Sequence, residues 1–257
     1  MFHQPRKRFG QNFLSDETVL DRIVSAIHPK SEQSIVEIGP GLGALTKKLL
    51  PLVNKLDAVE LDRDLIPKLQ ASCAGLGELI IHQQDALKFD FASVIKNKQK
   101  LRIVGNLPYN ISTPLLFYLL TFAPYIQDMY FMLQKEVAHR LASAPGNKTY
   151  GRLSVMVQYY CTVEILFDVE AVAFNPKPKV DSAFIRLVPY DRPPYFANDF
   201  DLFAELVNAA FTQRRKTIRN ALGTFISAEA LESLNISPTL RPENLTIEQF
   251  VRIANQL

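Results

Sequence analysis

The sequence has few of the features that are typical of secreted, metal-binding or membrane-bound proteins. Its 257 residues include only two cysteines, Cys73 and Cys161. The most apolar segment, 114–126, is interrupted by Thr121 and Pro124, and it is shorter than the ~20 residues that span a bilayer. Two distant cysteines form neither a zinc framework nor a disulfide scaffold, and no apolar signal-peptide segment follows the basic N-terminal cluster. We therefore expect a soluble, cytoplasmic protein with no metal site and no membrane partner.

The net charge is also small, because 26 Asp and Glu nearly balance 29 Lys and Arg, which gives a formal charge of +3. Hydrophobic residues make up 47% and charged residues 21% of the chain, which is ordinary for globular proteins and excludes a disordered one. No internal repeat or low-complexity tract is present. The length suits one large domain, alone or with a smaller one. Only a clustering of the charge could indicate a nucleic-acid partner.

Short apolar runs alternate with amphipathic stretches from about residue 34 to 189, which is typical of βαβ units and a parallel sheet. The predicted strands are Ile35–Ile38, Lys55–Leu61, one beginning at Leu79–Ile81, Arg102–Val104, Met129–Leu133, Val163–Phe167 and Ala183–Val188. Helical patterns of roughly 10–15 residues separate the first five strands. No long helical pattern separates the last two, which predicts an antiparallel addition at the sheet edge.

A domain boundary is predicted near Pro193 and Pro194, because adjacent prolines continue neither a helix nor a central strand. Beyond it, Phe200–Phe211 and Arg214–Phe225 have helical spacing. The sequence thus predicts an α/β domain over 1–191, which includes the basic N-terminal arm, and a small all-helical domain over 192–257.

A glycine-rich turn, GPGLGA from Gly39, lies between the first strand and the following helix, where a backbone turns sharply and approaches a ligand. Glu60 ends the next strand, 21 residues after Gly39, where a carboxylate can accept from both hydroxyls of a ribose. Asp85 ends the third strand, where it can accept from an adenine amino group or cap a turn. The pattern also fits a nicotinamide dinucleotide site or a plain tight turn. Two strand-end acids favour a nucleoside cofactor without phosphate, because carboxylates repel pyrophosphate.

The tetrapeptide Asn106-Leu107-Pro108-Tyr109 follows the fourth strand directly. The Asn106 side-chain carbonyl and the Leu107 backbone carbonyl could accept the two N–H groups of an exocyclic adenine amine, which frees its lone pair to attack a methyl group. Pro108 would stiffen the turn, and Tyr109 could stack on the base for about 1–3 kcal/mol. Phe174 could provide a second stacking surface, although an ordinary core role is the alternative. A strand-end turn without catalytic function remains the alternative for the tetrapeptide.

Basic residues are concentrated in stretches without acids, which favours contacts with RNA phosphates over an ordinary solvated surface. Arg215 and Arg219 are four residues apart and are expected on one helix face. The candidate RNA-binding residues are Arg6, Lys7, Arg8, Arg140, Lys148, Arg152, Lys177, Lys179, Arg214, Arg215, Lys216 and Arg219.

Eight segments together resemble the small-subunit ribosomal RNA adenine dimethyltransferases of the KsgA type. They cover nearly the whole chain in order and are highly specific as a set. The segments are FGQNFL (9–14), EIGPGLGALT (37–46), VELDRDL (59–65), QDAL (84–87), GNLPYNIST (105–113), LQKEVAHRL (133–141), FNPKPKVDSAF (174–184) and QRRKTIRNAL (213–222).

The resemblance implies a Rossmann-like class I methyltransferase sheet that binds S-adenosyl-L-methionine, with a small C-terminal all-helical domain. It implies that two methyl groups are added to each of two adjacent adenosines near the 3′ end of small-subunit RNA, within the immature subunit and late in its assembly. The Arg214–Arg219 segment resembles this type rather than the related large-subunit enzymes. We also expect a monomer. The cofactor residues implied, or expected from the patterns above, are Gln11, Asn12, Leu14, Gly39, Gly41, Glu60, Asp85, Ala86 and Asn106.

Two other hypotheses remain open on the residues alone. An RNA-binding assembly factor with a methyltransferase fold should have a damaged Asn106–Tyr109 or Glu60 position, and both are intact. A nicotinamide-dependent dehydrogenase would leave the Asn106–Tyr109 turn and the basic segment near Arg215 unexplained.

Overall fold

The computed structural model describes residues 12–95, 99–213 and 215–257. These residues group into two compact units. The first contains the described residues up to Ala138 and Val163–Pro189, and the second contains those of His139–Thr162 and Tyr190–Leu257. Residues 139–162 are predicted to belong to the α/β domain, but in the structure they group with the C-terminal helices.

A seven-stranded sheet forms the centre of the first unit, in the order β4-β3-β2-β5-β6-β9-β7. Pairing from β4 through β6 is parallel, and β9 runs antiparallel to β6. The two strands predicted as an edge addition thus lie at one edge, as expected. The strands are β2 (Ser34–Ile38), β3 (Lys55–Glu60), β4 (Glu78–Gln83), β5 (Leu101–Asn106), β6 (Ile126–Gln134), β7 (Cys161–Val169) and β9 (Ser182–Pro189).

A small two-stranded sheet joins the start of the described chain to the segment before β9. Strand β1 (Phe13–Leu14) pairs antiparallel with β8 (Phe174–Asn175). The Ser15 and Asp16 backbone N–H groups both donate to the Ala173 carbonyl, at 2.9 and 3.3 Å. These bonds fix Asn12 and its neighbours close to the carboxyl edge of the main sheet.

The helices of this unit are α1 (Glu17–Ile27), α2 (Ala44–Leu49), α3 (Ile66–Cys73) and α4 (Ser112–Leu120), and α5 (Lys135–Leu141) crosses the boundary between the units. Helix α1 begins where the Asp16 side chain accepts from the Val19 backbone N–H, and it buries Leu20, Ile23 and Ile27 at helical spacing. Strands β2, β3 and β5 are almost wholly buried, as expected for parallel strands covered on both faces.

The helix predicted between β4 and β5 is wrong for the described residues. Only a short 3₁₀ turn, Phe91–Val94, forms there. Aspartate side chains cause the departure, because Asp85 accepts from the Leu87 backbone N–H and Asp90 accepts from that of Ala92. Such local bonds compete with helix formation.

The second unit is helical, with α6 (Arg152–Tyr160), α7 (Phe200–Thr212), α8 (Ile218–Ala221), α9 (Ala228–Ser233) and α10 (Ile247–Gln256). Helix α6 belongs here because its Tyr159 ring lies 4.9 Å from Phe203 of α7 and its Arg152 donates to Asn208. Within the described residues, no helix combines the length and apolarity needed to cross a membrane.

The predicted helix over Arg214–Phe225 is wrong as a continuous element. Arg215 lies in a turn, Lys216 in a bend, and α8 contains only Ile218–Ala221. Tertiary bonds replace helical ones, since the Ile218 and Arg219 backbone N–H groups donate to the Leu240 and Pro238 carbonyls. Arg215 and Arg219 therefore do not share a helix face.

Candidate active site

The strand order changes direction at β2, whose neighbours β3 and β5 lead to opposite sides of the sheet. In open α/β sheets, ligands bind at the carboxyl ends of the strands around such a switch point. A cavity of about 330 Å³ lies there. Its lining residues include Asn12, Phe13, Gly39, Gly41, Glu60, Asp62, Asp85, Ala86, Asn106, Leu107, Pro108 and Tyr109.

The glycine turn after β2 requires its glycines. Gly39, Gly41 and Gly43 have φ of 67°, 59° and 84°, a region that side chains other than glycine rarely adopt. A Cβ on Gly41 would lie 2.9 Å from the Phe13 ring. The turn thus packs directly beneath β1 and leaves its backbone open to the cavity.

Glu60 ends β3 as a buried carboxylate with two backbone partners. The Gly41 N–H donates to one oxygen at 3.1 Å, and the Asp62 N–H donates to the other at 2.8 Å. A carboxylate accepts about four hydrogen bonds, so each oxygen keeps capacity for a ribose hydroxyl. Burial raises the pKa of Glu60, while these two backbone bonds lower it. Glu60 therefore both holds the glycine turn and faces the cavity.

Asp85 caps a turn, one of the two roles that the sequence left open, and it also lines the cavity. One carboxylate oxygen accepts from the Leu87 N–H at 3.0 Å, which closes a turn after β4. The residue is half-buried and lines the cavity beside Ala86. The turn bond leaves acceptor capacity for a ligand.

Asn106 at the end of β5 has an amide whose orientation follows from its partner. Its Nδ2 donates to the Asn12 backbone carbonyl at 2.8 Å. Because a carbonyl only accepts, the amide nitrogen faces Asn12 and the amide oxygen remains an acceptor for another group. Gly105 makes the close strand approach possible, since a Cβ there would lie 2.5 Å from the Ile38 carbonyl oxygen of β2.

The rest of the tetrapeptide forms the wall next to Asn106. Leu107 is 1% exposed, and its N–H donates to the Met132 carbonyl of β6 at 3.3 Å. The Pro108 carbonyl accepts from Ile111, which turns the chain into α4. The half-buried Tyr109 has its hydroxyl 2.9 Å from that of Ser182, and burial raises its pKa.

A second cavity of about 680 Å³ adjoins the first, and Phe13, Gly39 and Asn106 line both. Its wall includes Glu37, which is 3% exposed. The Thr46 hydroxyl donates to Glu37 at 2.7 Å. Burial, reinforced by the charge of Glu60, raises the pKa of Glu37 to about 7 although the Thr46 bond lowers it.

This carboxyl should make stability depend on pH. Its pKa of about 7 lies above the ordinary 4.5, so the folded state binds the proton more tightly than the unfolded chain and loses stability as pH rises through this window. We expect Glu37→Gln, which keeps an acceptor for Thr46, to be more stable than the parent at pH 8 by up to about 3 kcal/mol and closer to it at pH 5. Urea unfolding from pH 5 to 8 measures the difference. Equal pH slopes for Glu37→Gln and the parent would contradict this expectation, and the exposed Glu78→Gln is the control.

Phe174 and Leu14, predicted for base stacking and for cofactor binding, are both buried. They pair across β1 and β8, are 3% and 6% exposed, and belong to the hydrophobic core. Phe174 lines neither cavity, so the core alternative describes its position, because a ring this buried cannot stack on a base in this conformation. Leu14 lines only the second cavity.

The described candidate RNA-binding residues are all exposed. Lys177 and Lys179 lie in the first unit, in the segment between β8 and β9. The others, Arg140, Lys148, Arg152, Arg215, Lys216 and Arg219, lie in the second unit. Arg6, Lys7, Arg8, Gln11 and Arg214 lie outside the described residues.

Sequence reasoning missed several residues of this site. Phe13 and Glu37 stand inside two of the recognised segments, but only packing shows that one covers the glycine turn and the other lies under it. Ser182 was missed because its partner Tyr109 is 73 residues away. In the part of the chain that the structure describes, no group of three His, Cys, Asp or Glu is arranged to hold a metal ion.

Comparison with known proteins gives consistent similarities over the full length. A family model described as ribosomal RNA adenine dimethylase matches residues 2–257. A ribosomal RNA small subunit methyltransferase A of Pseudomonas aeruginosa is 57% identical over 255 residues, 99% of this chain and 95% of that protein. The protein of that name from Vibrio parahaemolyticus is 55% identical with the same coverage.

Solved structures agree with this similarity. The crystal structure of a dimethyladenosine transferase from Plasmodium falciparum superposes with a TM-score of 0.80 at 30% identity, over 94% of this chain and 95% of that one. The crystal structure of the 23S rRNA methyltransferase ErmE gives 0.76 at 25% identity, over 96% and 99%. The dehydrogenase alternative finds no support in these matches.

Proposed function

The chain belongs to the ribosomal RNA adenine dimethylase family, and from this premise we propose that it methylates two adjacent adenosines near the 3′ end of small-subunit RNA. It is an S-adenosylmethionine-dependent rRNA adenine dimethyltransferase with a Rossmann-like fold. Relatives more than half identical over nearly the full length carry a small-subunit name, whereas ErmE, at 25% identity, carries a 23S name. This contrast supports the small subunit as the substrate. We propose further that it acts as a cytoplasmic monomer on the immature subunit, late in assembly.

One observation carries the chemistry, namely the hydrogen bond from Asn106 Nδ2 to the Asn12 carbonyl. It leaves the Asn106 oxygen as an acceptor at the mouth of the cavity, next to the Leu107 backbone. An exocyclic adenine amine is a poor nucleophile because its lone pair is delocalised into the ring. Two acceptors that take its N–H groups favour a tetrahedral nitrogen whose lone pair is available, without a strong base.

The cavity has the donor and acceptor set that the cofactor requires. Glu60 retains acceptor capacity for the ribose hydroxyls and Asp85 for the adenine amino group, while the glycine turn allows close approach. The adjoining second cavity provides room for the amino-acid portion beyond Gly39 and Asn106. When bound, the cofactor supplies an electrophilic methyl group on a sulfonium sulfur.

Dimethylation places a further demand on the site. After one transfer the amine keeps a single N–H, so one of the two acceptors loses its partner and faces the new methyl group. Tyr109 then contributes a larger share of the positioning of the base, because stacking does not depend on the number of N–H groups.

The basic residues of the second unit are proposed to contact RNA phosphates. Arg215 and Arg219 are both exposed. Reversing them to Glu should weaken binding to small subunits by about tenfold or more. It should also lower the slope of log affinity against log salt concentration by about 2, because binding releases fewer counterions when phosphate contacts are lost. Binding titrations between 50 and 300 mM salt measure both effects. Unchanged affinity and slope would refute this contact, and Lys30→Glu, an exposed charge reversal before β2, should leave both unchanged.

The proposed substrate is tested by offering the enzyme four acceptors in parallel. These are immature small subunits that lack the modification, mature small subunits, large subunits and protein-free small-subunit RNA. Methyl incorporation should be fastest on the immature subunits and absent from large subunits. Equal rates on protein-free RNA would refute the subunit context, and preferential labelling of large subunits would refute the substrate.

A further inference from the structure

The hydroxyl pair of Tyr109 and Ser182 joins an irregular segment of the active site to a strand of the main sheet. Tyr109 lines the first cavity and lies in the irregular segment between β5 and α4, and its hydroxyl is 2.9 Å from that of Ser182. A tyrosine side chain has two main torsions. Holding both its Cα and its hydroxyl therefore fixes the first torsion and the direction of the long axis of the ring.

Ser182 is placed to act as the anchor of this pair. It is 0% exposed, begins β9 and pairs with Gln134 at the end of β6. Its neighbour Asp181 is held as well, because the Asp181 carboxylate accepts from the Ala171 N–H and its carbonyl accepts from the Lys135 N–H, both at 3.0 Å. The strand thus fixes the serine, and the serine fixes the tyrosine.

The tyrosine is suited to remain in this bond. Burial raises its pKa from the ordinary value near 10, so the phenol stays protonated and uncharged at neutral pH. Ser182 has no charge either, so the pair itself adds no charge to the cavity wall. An uncharged ring that lines the cavity can stack on a base without repelling the RNA phosphates.

We propose that Ser182 is a positioning residue that holds the Tyr109 ring at the position where the target adenine stacks on it, and that this anchor matters most for the second methyl transfer. The inference rests on the proposed function. The monomethylated amine has one N–H left for Asn106 and Leu107, so the stacked ring carries more of its orientation. Loosening the ring should therefore let the base react once and leave before it reacts again.

A double-mutant cycle of Tyr109→Phe and Ser182→Ala tests the anchor. We expect each single variant to slow the second transfer by about five- to tenfold, as expected for the loss of one neutral hydrogen bond, and to slow the first transfer less. Monomethyladenosine should accumulate, and the double variant should be no worse than the poorer single variant. Ser182→Thr, which keeps the hydroxyl, should restore most of the dimethyl product.

Two further measurements separate positioning from general stability. With S-adenosylhomocysteine bound, 2-aminopurine at the target position of the RNA should be less quenched in both single variants than in the parent, because stacking quenches its fluorescence. The control Tyr118→Phe removes the tyrosine hydroxyl that donates to the Phe89 carbonyl at 3.2 Å, and it should change neither the product ratio nor the fluorescence. Thermal unfolding identifies any variant that is poorly folded.

The outcomes discriminate between the two proposals. Effects that multiply in the double variant, or an equal shift of product ratio in Tyr118→Phe, would overturn the anchor while leaving the proposed function intact. A parent enzyme that forms no dimethyladenosine in small subunits would overturn the proposed function and the anchor with it.

Discussion

Asn106→Ala is expected to lower methyl transfer at least about 100-fold while RNA binding is largely retained, since loss of one preorganised polar contact commonly costs this much in rate. The substitution removes the acceptor proposed for the exocyclic amine. It also removes the bond to the Asn12 carbonyl that orients that acceptor. Single-turnover methylation of small subunits and a separate binding titration measure the two effects.

Asn106→Asp sharpens this prediction. Aspartate keeps the acceptor but cannot donate to the Asn12 carbonyl, which then faces a negative charge. We expect the loss to be comparable to that of alanine, whereas Asn54→Ala, an exposed asparagine before β3, should retain full activity. If Asn106→Asp kept more than about a tenth of the parent rate, the orienting role of Asn12 would be refuted, because loss of an essential preorganised contact costs far more.

Glu60→Gln is expected to weaken cofactor binding about 10- to 100-fold, because hydrogen bonds to a neutral amide are weaker than those to a charged carboxylate. Its two oxygens accept from the Gly41 and Asp62 N–H groups. In glutamine, one of these donors faces an NH₂ group instead, so the glycine turn loses a restraint as the ribose loses an acceptor. Calorimetric titration with S-adenosylmethionine and with S-adenosylhomocysteine measures the affinity.

The two titrations also distinguish recognition of the ribose hydroxyls from recognition of the sulfonium charge. If the sulfonium charge dominated recognition by Glu60, only the cationic cofactor would bind more weakly to the variant. Hydroxyl recognition predicts a similar loss for both ligands, since the ribose is common to them. Glu78→Gln, at the opposite end of the neighbouring strand β4, should leave both affinities unchanged.

Much of this site could be predicted from sequence because it depends on residues at strand ends. A parallel sheet brings the carboxyl ends of successive strands to one edge, so Gly39, Glu60, Asp85 and Asn106 meet in the structure although 67 residues separate the first from the last. Local patterns sufficed to find each strand of the seven-stranded sheet. The sheet then determined which residues could share a cavity.

Predictions were less accurate for segments whose structure depends on long-range contacts. The segment Arg214–Phe225 has helical spacing, but bonds from Ile218 and Arg219 to the 238–240 segment limit the helix to four residues. Neither end of the segment 139–162 is marked by proline or glycine, and only the packing of Tyr159 on α7 shows where the segment belongs. Tertiary contacts override local preference in both cases.

Partners far apart in sequence were invisible for the same reason. Phe174 stands in a recognised segment, and only its pairing with Leu14 reveals that its ring is buried. The link between Tyr109 and Ser182 joins a loop to a strand 73 residues later. No spacing rule relates such positions, so the support of a site is harder to predict than its reactive groups.

Two adjacent adenosines of small-subunit RNA are the proposed targets of dimethylation by this chain. The most direct measurement incubates the protein and labelled S-adenosylmethionine with small subunits that lack the modification, then maps the labelled nucleotides by nuclease digestion and mass spectrometry. We expect two neighbouring dimethyladenosines near the 3′ end and a stoichiometry approaching four methyl groups per subunit. Label on a single adenosine, at another site, or on no RNA at all would contradict this expectation.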